Sequence, residues 1–312
     1  MPIFNIQHIT KYLYDRNVRE SVNEIKIYSY QDNNQEVLQH ELFITGSPEV
    51  FTYTDYWSNK TGVFNLIPPH KELVVDSRLT VRTIAPSVSS INFTSGLNSL
   101  EAEVDDNLKL IELSKPDNIL SANAIASIVH AVKTNEDDIP VAKLVQNCCD
   151  YIFKHFKYIK GITTIETTVD QILDKRAGVC QDFAHVMLQV LRTVGVPSRY
   201  VSGYICPNKN GLRGEGATHA WVEAWIPAYG WAGVDPTNNV WVTNSHVKLA
   251  VGRNFNDCSP VKGTFKGPAK QNLSVFVSVG YEDGGMFEEI NNVLVKDEEE
   301  VPVQRAAQLV PQ

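Results

Sequence analysis

One cysteine of this sequence lies at a position that could make its thiol a nucleophile. In RAGVCQDFAHVMLQVLRTVG, residues 176–195, Cys180 follows a glycine turn and begins a stretch whose apolar spacing predicts an amphipathic helix. The unpaired N–H groups and the positive dipole end at a helix start stabilise a thiolate. The same N–H groups can bind the oxyanion that forms when a thiolate attacks a carbonyl. Residue type and position therefore predict a reactive thiol.

A histidine and an aspartate follow on two strands that turn back on each other. His219 opens the strand HAWVEAWI, PAYG is a turn, and Asp235 lies on the next strand, WAGVDPT. An antiparallel return brings Asp235 near His219, offset by a few residues unless a bulge, for example at Gly233, corrects the register. Helix-start cysteine, strand-start histidine and next-strand aspartate are together what thiol acyl-transfer chemistry requires, although each alone is more simply a packing residue.

The surrounding elements are predicted from the periodicity of apolar residues. The first 88 residues alternate as strands do, with Phe4, Ile6 and His8 on one face of the first strand, and turn-rich segments between strands. An antiparallel β-sandwich fits this pattern best, and His8 is expected to be structural. In DDIPVAKLVQNCCDYIFKHFKY the apolar residues recur every three and four positions, which predicts a helix with Cys148 in the core. TTVDQILDKRAG predicts a short helix that opens with a threonine cap and ends at Gly178, which can adopt the left-handed conformation.

Composition and charge exclude several classes of function. The formal net charge of −8 argues against nucleic-acid binding, which needs a basic surface. No segment approaches the roughly 20 apolar residues of a membrane span, and no signal peptide is visible, so a cytoplasmic location is expected. Five cysteines without a CxxC pair indicate reduced thiols rather than a disulfide framework.

No cofactor or metal is expected from the motifs. HAWVE is not the HExxH zinc motif, and no spacing of cysteines and histidines matches a tetrahedral zinc site. GLRGEG carries glycines but follows a polar loop and precedes a strand, which excludes a dinucleotide-binding turn. We expect this loop to shape substrate access to His219.

Three blocks of the sequence resemble a known family. GVCQDFAH, THAWVEAWIPAYGWAGVDPTNN and VGRNFNDCSPVKGTFKG are similar to the core of bacterial transglutaminase-like proteins, a branch of the papain-like thiol enzymes that includes proteins described as cysteine proteases. The opening IQHITKYLYDRNVRESVNEIKI resembles the β-rich N-terminal region that accompanies this core in bacteria. The resemblance covers roughly residues 1 to 280.

The resemblance implies an α+β fold, in which a papain-like transglutaminase core packs its nucleophile helix on an antiparallel sheet beside an N-terminal β-sandwich. The expected segments are a sandwich over 1–88, a connection over 89–120, the catalytic core over 121–285 and a tail over 286–312.

The resemblance also implies the roles of the site residues. Cys180 is the nucleophile, His219 the general base and acid, and Asp235 the residue that orients His219. Asn238 and Asn239 could instead supply the orienting amide of some papain-like enzymes, although they lie past Pro236.

Two features of the family are not matched by a motif here. No motif identifies the second oxyanion donor, for which Tyr158 is a weak candidate. No calcium loop of the DxDxDG type accompanies the core, unlike the calcium-dependent animal transglutaminases.

The expected activity is cleavage of a peptide or carboxamide bond through a thioester acyl-enzyme, with a peptide or protein as substrate. Hydrolysis makes the enzyme a cysteine protease or amidase, whereas transfer to a primary amine makes it a transglutaminase. Hydrolysis is favoured because water is always present and no feature identifies a lysine-binding tunnel. The third alternative is a binding module that keeps the fold without catalysis.

Overall fold

A computed structural model describes residues 1–84, 88–134, 138–206, 212–213, 217–282 and 286–293. Its helices are α1 (Leu97–Asp105), α2 (Leu108–Leu113), α3 (Ala122–Lys133), α4 (Val141–His155), α5 (Val169–Lys175), α6 (Cys180–Thr193) and α7 (Phe255–Cys258), with a 3₁₀ turn at Val88–Ser90. Its strands are β1 (Ile3–Val18), β2 (Glu20–Ile25), β3 (Gln35–Ile44), β4 (Phe51–Thr54), β5 (Lys60–Leu66), β6 (His70–Thr83), β7 (Lys157–Tyr158), β8 (Ala177–Gly178), β9 (Ser198–Ile205), β10 (Ala217–Ile226), β11 (Gly230–Asp235), β12 (Val240–Trp241), β13 (His246–Gly252), β14 (Val261–Lys266), β15 (Gln271–Tyr281) and β16 (Met286–Val293).

Two antiparallel sheets form the predicted β-sandwich. One has the strand order β16-β15-β1-β6-β3 and the other β14-β2-β5-β4. Alternate residues of their strands point inward and form one apolar core, as the period of two requires. The sheet that contains β1 also packs against β9 and β13 through a second apolar cluster, which joins the sandwich to the rest of the molecule.

The second part of the molecule is a five-stranded antiparallel sheet, β12-β11-β10-β9-β13, covered by helices. Helix α6 lies on β9 and β10 and also contacts α3, α4 and α5. Its predicted apolar stripe is buried and consists of Phe183, Ala184, Met187, Leu188 and Leu191. The phenylalanine, methionine and leucine side chains each contribute about 1.5–3 kcal/mol of burial free energy. The predicted fold, a nucleophile helix on an antiparallel sheet beside a β-sandwich, is confirmed.

The connections differ from the sequence-based expectation. The predicted connecting segment over 89–120 contains α1 and α2, since Leu97, Leu100 and Val104 place apolar side chains on one helix face. Strands β14 and β15, which were assigned to the core, pair with β2 and β1 of the sandwich. The predicted tail begins with β16, which pairs with β15. The boundaries between folding units stay a prediction.

The turn before Cys180 is built differently from the prediction. Helix α5 opens with a capping box between Thr168 and Gln171, but it ends with Arg176 in the left-handed conformation, φ 45°, rather than with Gly178. Gly178 lies in β8, and a Cβ there would stand 2.4 Å from Oδ2 of Asp182. Glycine is needed at this position for close packing and not for a positive φ.

No helix in the described residues combines the length and apolar character needed to cross a membrane.

Candidate active site

Cys180 is the first residue of α6, as predicted. Oδ2 of Asp182 accepts the backbone N–H of Val179 at 2.7 Å and the hydroxyl of Thr163 at 2.6 Å, which fixes the start of the helix. Burial raises the pKa of the Asp182 carboxyl despite these two hydrogen bonds. All five cysteines lie in the described residues, and Cys180 is the one that is not buried. The thiol at the helix start is thus the accessible thiol of the molecule.

His219 and Asp235 form a fully buried hydrogen-bonded pair. Nε2 of His219 lies 2.8 Å from Oδ2 of Asp235, and both side chains have no exposed surface. Strand pairing sets Val222 opposite Val234, which leaves the two residues on one face but offset by two positions. The side chains span this offset diagonally, and the pairing continues through Gly233 without a bulge. The anticipated correction at Gly233 is not needed.

Three other groups donate hydrogen bonds to the Asp235 carboxylate. Oδ1 accepts the backbone N–H of Thr237 at 2.9 Å. Oδ2 accepts Nδ2 of Asn238 at 2.7 Å and faces Nε2 of His246 at 3.4 Å, in addition to His219. A carboxylate held by several donors keeps its charge and its orientation even when buried.

His246 is a neutral donor to this carboxylate. Its Nδ1 receives the backbone N–H of Thr243 at 3.3 Å, so this nitrogen is the acceptor of the ring. The proton of the neutral ring is therefore on Nε2, which faces Asp235. Burial lowers the pKa of His246, which favours the neutral form.

Trp221 closes this group off from solvent. Its ring centroid lies 6.4 Å from that of His219 and 5.3 Å from that of His246, and the side chain is buried. Exclusion of water strengthens the charge interactions inside the site.

The charges of the site favour an ionised histidine. Burial by itself lowers the pKa of His219, but the Asp235 carboxylate and the Cys180 thiolate outweigh burial and raise this pKa to about 10. Burial raises the pKa of Asp235, yet the charge of His219 and the hydrogen bonds of both histidines hold it well below its usual range. At neutral pH these interactions favour a protonated His219 ring beside the Asp235 carboxylate.

The geometry assigns the two nitrogens of His219 to different partners. Nε2 is engaged with Asp235, while Nδ1 is buried and has no hydrogen-bond partner within bonding distance among the described residues. The Cys180 thiol interacts electrostatically with this ring, so Nδ1 is the nitrogen that can exchange a proton with it. Catalytic contacts of this kind are often long before substrate binds.

Comparison with known proteins identifies the family of this chain. Residues 126–236 match the transglutaminase-like superfamily, and residues 4–82 match the bacterial transglutaminase-like N-terminal region. An uncharacterized protein of Mycobacterium leprae is 33% identical over 280 residues, which cover 88% of this chain and 97% of that protein. The chain belongs to the transglutaminase-like superfamily.

Two further proteins are similar to this transglutaminase-like chain, one in fold and one in the sequence of a segment. The crystal structure of "a Putative Cysteine Protease from Cytophaga hutchinsonii" has the same fold, with a TM-score of 0.71 and 21% identity over 91% of this chain and 92% of that one. A 76-residue segment is 43% identical to the protein-glutamine gamma-glutamyltransferase of Pseudomonas aeruginosa, covering 23% of this chain and 11% of that enzyme.

In this transglutaminase-like site, one group of side chains could also be considered as metal ligands. The ligand atoms of His219, Asp235 and His246 lie within 4.8 Å of one another. Both Nε2 atoms, however, face the same carboxylate oxygen at hydrogen-bonding distances, 2.8 and 3.4 Å. A metal would need the nitrogen lone pairs that these N–H groups replace. We interpret the group as a hydrogen-bond network.

The remaining sequence candidates have other surroundings in the transglutaminase-like fold. His8 of β1 is buried where the sandwich packs against β9, and its Nδ1 lies 2.8 Å from the hydroxyl of Tyr204. His185, a histidine of α6 outside the predicted site, accepts the backbone N–H of Phe255 at 3.3 Å, which is a packing contact of α6 with α7. Tyr158 lies beside Gly178 in a short parallel pairing, and its role as an oxyanion donor stays a prediction.

The two asparagines after Asp235 form hydrogen bonds with different carboxylates. Asn238 contacts Asp235 and not His219, whereas Asn239 reaches Asp150 at 3.3 Å. His246 was missed by sequence reasoning. The one available signal was that it opens a strand, as His219 does near the start of its own, but nothing in the sequence indicated which residue it faces.

Proposed function

We propose that this protein is a thiol-dependent acyl-transfer enzyme that cleaves peptide or carboxamide bonds through a thioester. The observation that carries the proposal is the buried His219–Asp235 pair, whose second ring nitrogen is left for the accessible thiol of Cys180. Membership in the transglutaminase-like superfamily supports the same chemistry.

In the proposed mechanism, the Cys180 thiolate attacks the carbonyl carbon, and the oxygen becomes an oxyanion. The N–H of Cys180, in the first turn of α6, is one donor for this oxyanion, and such a donor is worth about 3 kcal/mol. The imidazolium of His219 then gives its Nδ1 proton to the departing nitrogen as the C–N bond breaks. The products of this half-reaction are an amine and a thioester on Cys180.

Hydrolysis completes the cycle in our first proposal. Neutral His219 takes a proton from water, the hydroxide oxygen bonds to the thioester carbon, and the C–S bond breaks. The products are a carboxylic acid and the thiolate–imidazolium pair, so the atoms and charges balance. The shared fold of the Cytophaga hutchinsonii protein supports a cysteine protease or amidase at the level of architecture.

Transfer to an amine is the second candidate. The 43% identity to a segment of the Pseudomonas aeruginosa protein-glutamine gamma-glutamyltransferase favours it, because that enzyme is named for transfer of a γ-glutamyl group rather than for hydrolysis. In this case neutral His219 takes a proton from a primary amine, the amine nitrogen bonds to the thioester carbon, and the C–S bond breaks. The products are an amide and the thiolate–imidazolium pair.

The two reactions can be separated in one experiment. The wild type and Cys180→Ala are incubated with a glutamine-containing protein and an isotopically labelled primary amine, and the peptides are analysed by mass spectrometry. We expect new termini or deamidated glutamine in the wild type only. Amine incorporation that outpaces hydrolysis would assign the second candidate, and equal product from both variants would leave a binding module.

A further inference from the structure

Asn238 connects the Asp235 carboxylate to a distant part of the chain. Its Nδ2 donates to Oδ2 of Asp235 at 2.7 Å and to the backbone carbonyl of Arg213 at 3.2 Å. Its Oδ1 accepts the backbone N–H of Arg213 at 2.7 Å. The amide thus uses both donor hydrogens and its acceptor on two partners that are 22 positions apart in the sequence.

Arg213 is itself held at two more points. Its guanidinium carbon lies 4.6 Å from the ring centroid of Phe153 on α4, a cation–π contact. Its Nη1 lies 3.4 Å from the carbonyl oxygen of Thr237. Residues 212–213 precede His219 and belong to the polar stretch GLRGEG, which we expect to shape substrate access.

The Asp235 carboxylate depends on its donors because it is completely buried. With no exposed surface, it cannot replace a lost hydrogen bond with water. Oδ2 is also the oxygen that holds His219, so the direction of the Asn238 bond affects the direction of the His219 bond. Thr237 bonds the other oxygen, Oδ1. Apart from His219, Oδ2 has two donors, and Asn238 at 2.7 Å is closer than His246 at 3.4 Å.

We propose that Asn238 is a positioning residue that couples the seating of residues 212–213 to the orientation of Asp235 and therefore of His219. This inference rests on the proposed function, because it concerns the same thiol and imidazole. When Arg213 is seated between Asn238 and Phe153, the amide is held in the direction that supports Asp235. A substrate that contacts this segment acts on the reactivity of Cys180 without touching it.

The test measures the reactivity of Cys180 rather than turnover. The rate of its alkylation by iodoacetamide is measured at pH 6.5 and pH 9.5 in the wild type, Asn238→Ala and Asn239→Gly. Asn239→Gly is the matched control. The φ of Asn239, 53°, suits glycine, and its amide bonds Asp150 rather than Asp235. Alkylation at pH 6.5 requires the imidazolium partner, whereas at pH 9.5 an ordinary thiol is largely ionised.

We expect Asn238→Ala to slow alkylation roughly tenfold at pH 6.5 and less than about threefold at pH 9.5, because one hydrogen bond to a buried charge is lost. Asn239→Gly should match the wild type at both values. A loss of structure would slow or speed both rates together. Asn238→Ser, which is too short to span both partners, serves as the second variant if Asn238→Ala does not fold.

Coupling to the segment is tested with Phe153→Ala. This substitution removes one seat of Arg213 and should slow alkylation at pH 6.5 in the wild type but not in Asn238→Ala, as in a double-mutant cycle. Equal effects in both backgrounds, or an unchanged Asn238→Ala, would overturn the inference. If wild-type Cys180 itself reacts at pH 6.5 only as a free thiol does, the proposed function fails instead.

Discussion

At the scale of single residues, the site depends on which nitrogen of His219 is engaged. Nε2 is bonded to Asp235 at 2.8 Å, and this carboxylate is supported by Thr237, Asn238 and His246. The proposed mechanism assigns the opposite nitrogen, Nδ1, to proton exchange with the Cys180 thiol. An orienting carboxylate acts in thiol enzymes by fixing the ring and stabilising its charged form, not by accepting the proton.

The first prediction concerns the titration of His219. Its pKa is raised to about 10 because Asp235 and the Cys180 thiolate outweigh burial, so removing either partner should lower it. We expect the imidazole ¹⁵N signals of the wild type to titrate near pH 10, and those of Cys180→Ala and Asp235→Asn to titrate at lower pH. His185, whose pKa burial lowers to about 4, is the internal control. An identical His219 titration in all three proteins would contradict the assigned pairing.

The same shift gives a pH dependence of stability. The folded-state pKa of His219, about 10, exceeds the ordinary histidine value of about 6.5. Its contribution to the free energy of unfolding is therefore full below about pH 6.5 and is lost as the pH rises through 10. We expect His219→Gln to show a smaller fall in stability over this range than the wild type, measured by urea unfolding. A parallel fall in both would contradict the shift.

At the scale of elements, the start of α6 was predictable and the turn before it was not. The apolar stripe of α6 and its beginning at Cys180 follow from spacing and residue type. The sequence predicts the left-handed residue at Gly178, but Arg176 adopts that conformation. Gly178 instead lies in β8, where Asp182 packs so closely that a Cβ does not fit. Local propensity was overridden here by packing.

This difference predicts a stabilising substitution. Arg176 is exposed and has a φ of 45°, a conformation that glycine adopts without the steric penalty of a Cβ. We expect Arg176→Gly to raise the free energy of unfolding by about 0.5–1 kcal/mol, measured by urea unfolding. Arg176→Ala is the matched control, since it removes the side chain and keeps the Cβ, and it should give no gain. Destabilisation by the glycine would show that the arginine side chain matters more than the backbone.

At the scale of the whole molecule, the sequence pattern does not predict which distant strands pair with each other. Alternation predicts strands over the first 88 residues, but not that β15 pairs with β1 or that β14 pairs with β2. The same limit hid His246, which reaches Asp235 from another strand. Periodicity specifies which face of a strand is buried and leaves its partner open. A cytoplasmic location likewise stays a prediction.

A cluster of charged side chains joins the β-sandwich to the five-stranded sheet that contains His219 and Asp235. Nζ of Lys248 lies 2.7 Å from Asp32 and 2.5 Å from Glu223, which also pairs with Arg199 at 2.6 Å. Burial raises the pKa of Glu223, but Lys248 and Arg199 outweigh it and lower this pKa to about 2. The backbone of Lys248 is bonded to Gln35 as well. This cluster is the polar counterpart of the apolar contact between β1 and β13.

Removal of the shared cation should therefore weaken the whole fold. Lys248→Met leaves Glu223 with Arg199 as its cation and Asp32 without its ion pair to Lys248. We expect the free energy of unfolding to fall by about 1.5–3 kcal/mol, the range for a lost hydrogen bond to a charged group. Lys11→Met is the matched control because its ion pair with Glu72 is exposed, and such pairs contribute little. Equal urea midpoints for the two variants would contradict a role of the cluster in joining the two parts.

The most direct test of the central claim is the pH dependence of Cys180 alkylation by iodoacetamide, with the labelled peptide identified by mass spectrometry. The other four cysteines are buried, so labelling reports on Cys180. We predict that wild-type rates at pH 6 and pH 8 agree within about threefold, while His219→Ala slows about tenfold per pH unit below 8.5, as an unassisted thiol does. Wild-type rates that fall in parallel with those of His219→Ala would contradict the thiolate–imidazolium pair and with it the proposed acyl transfer.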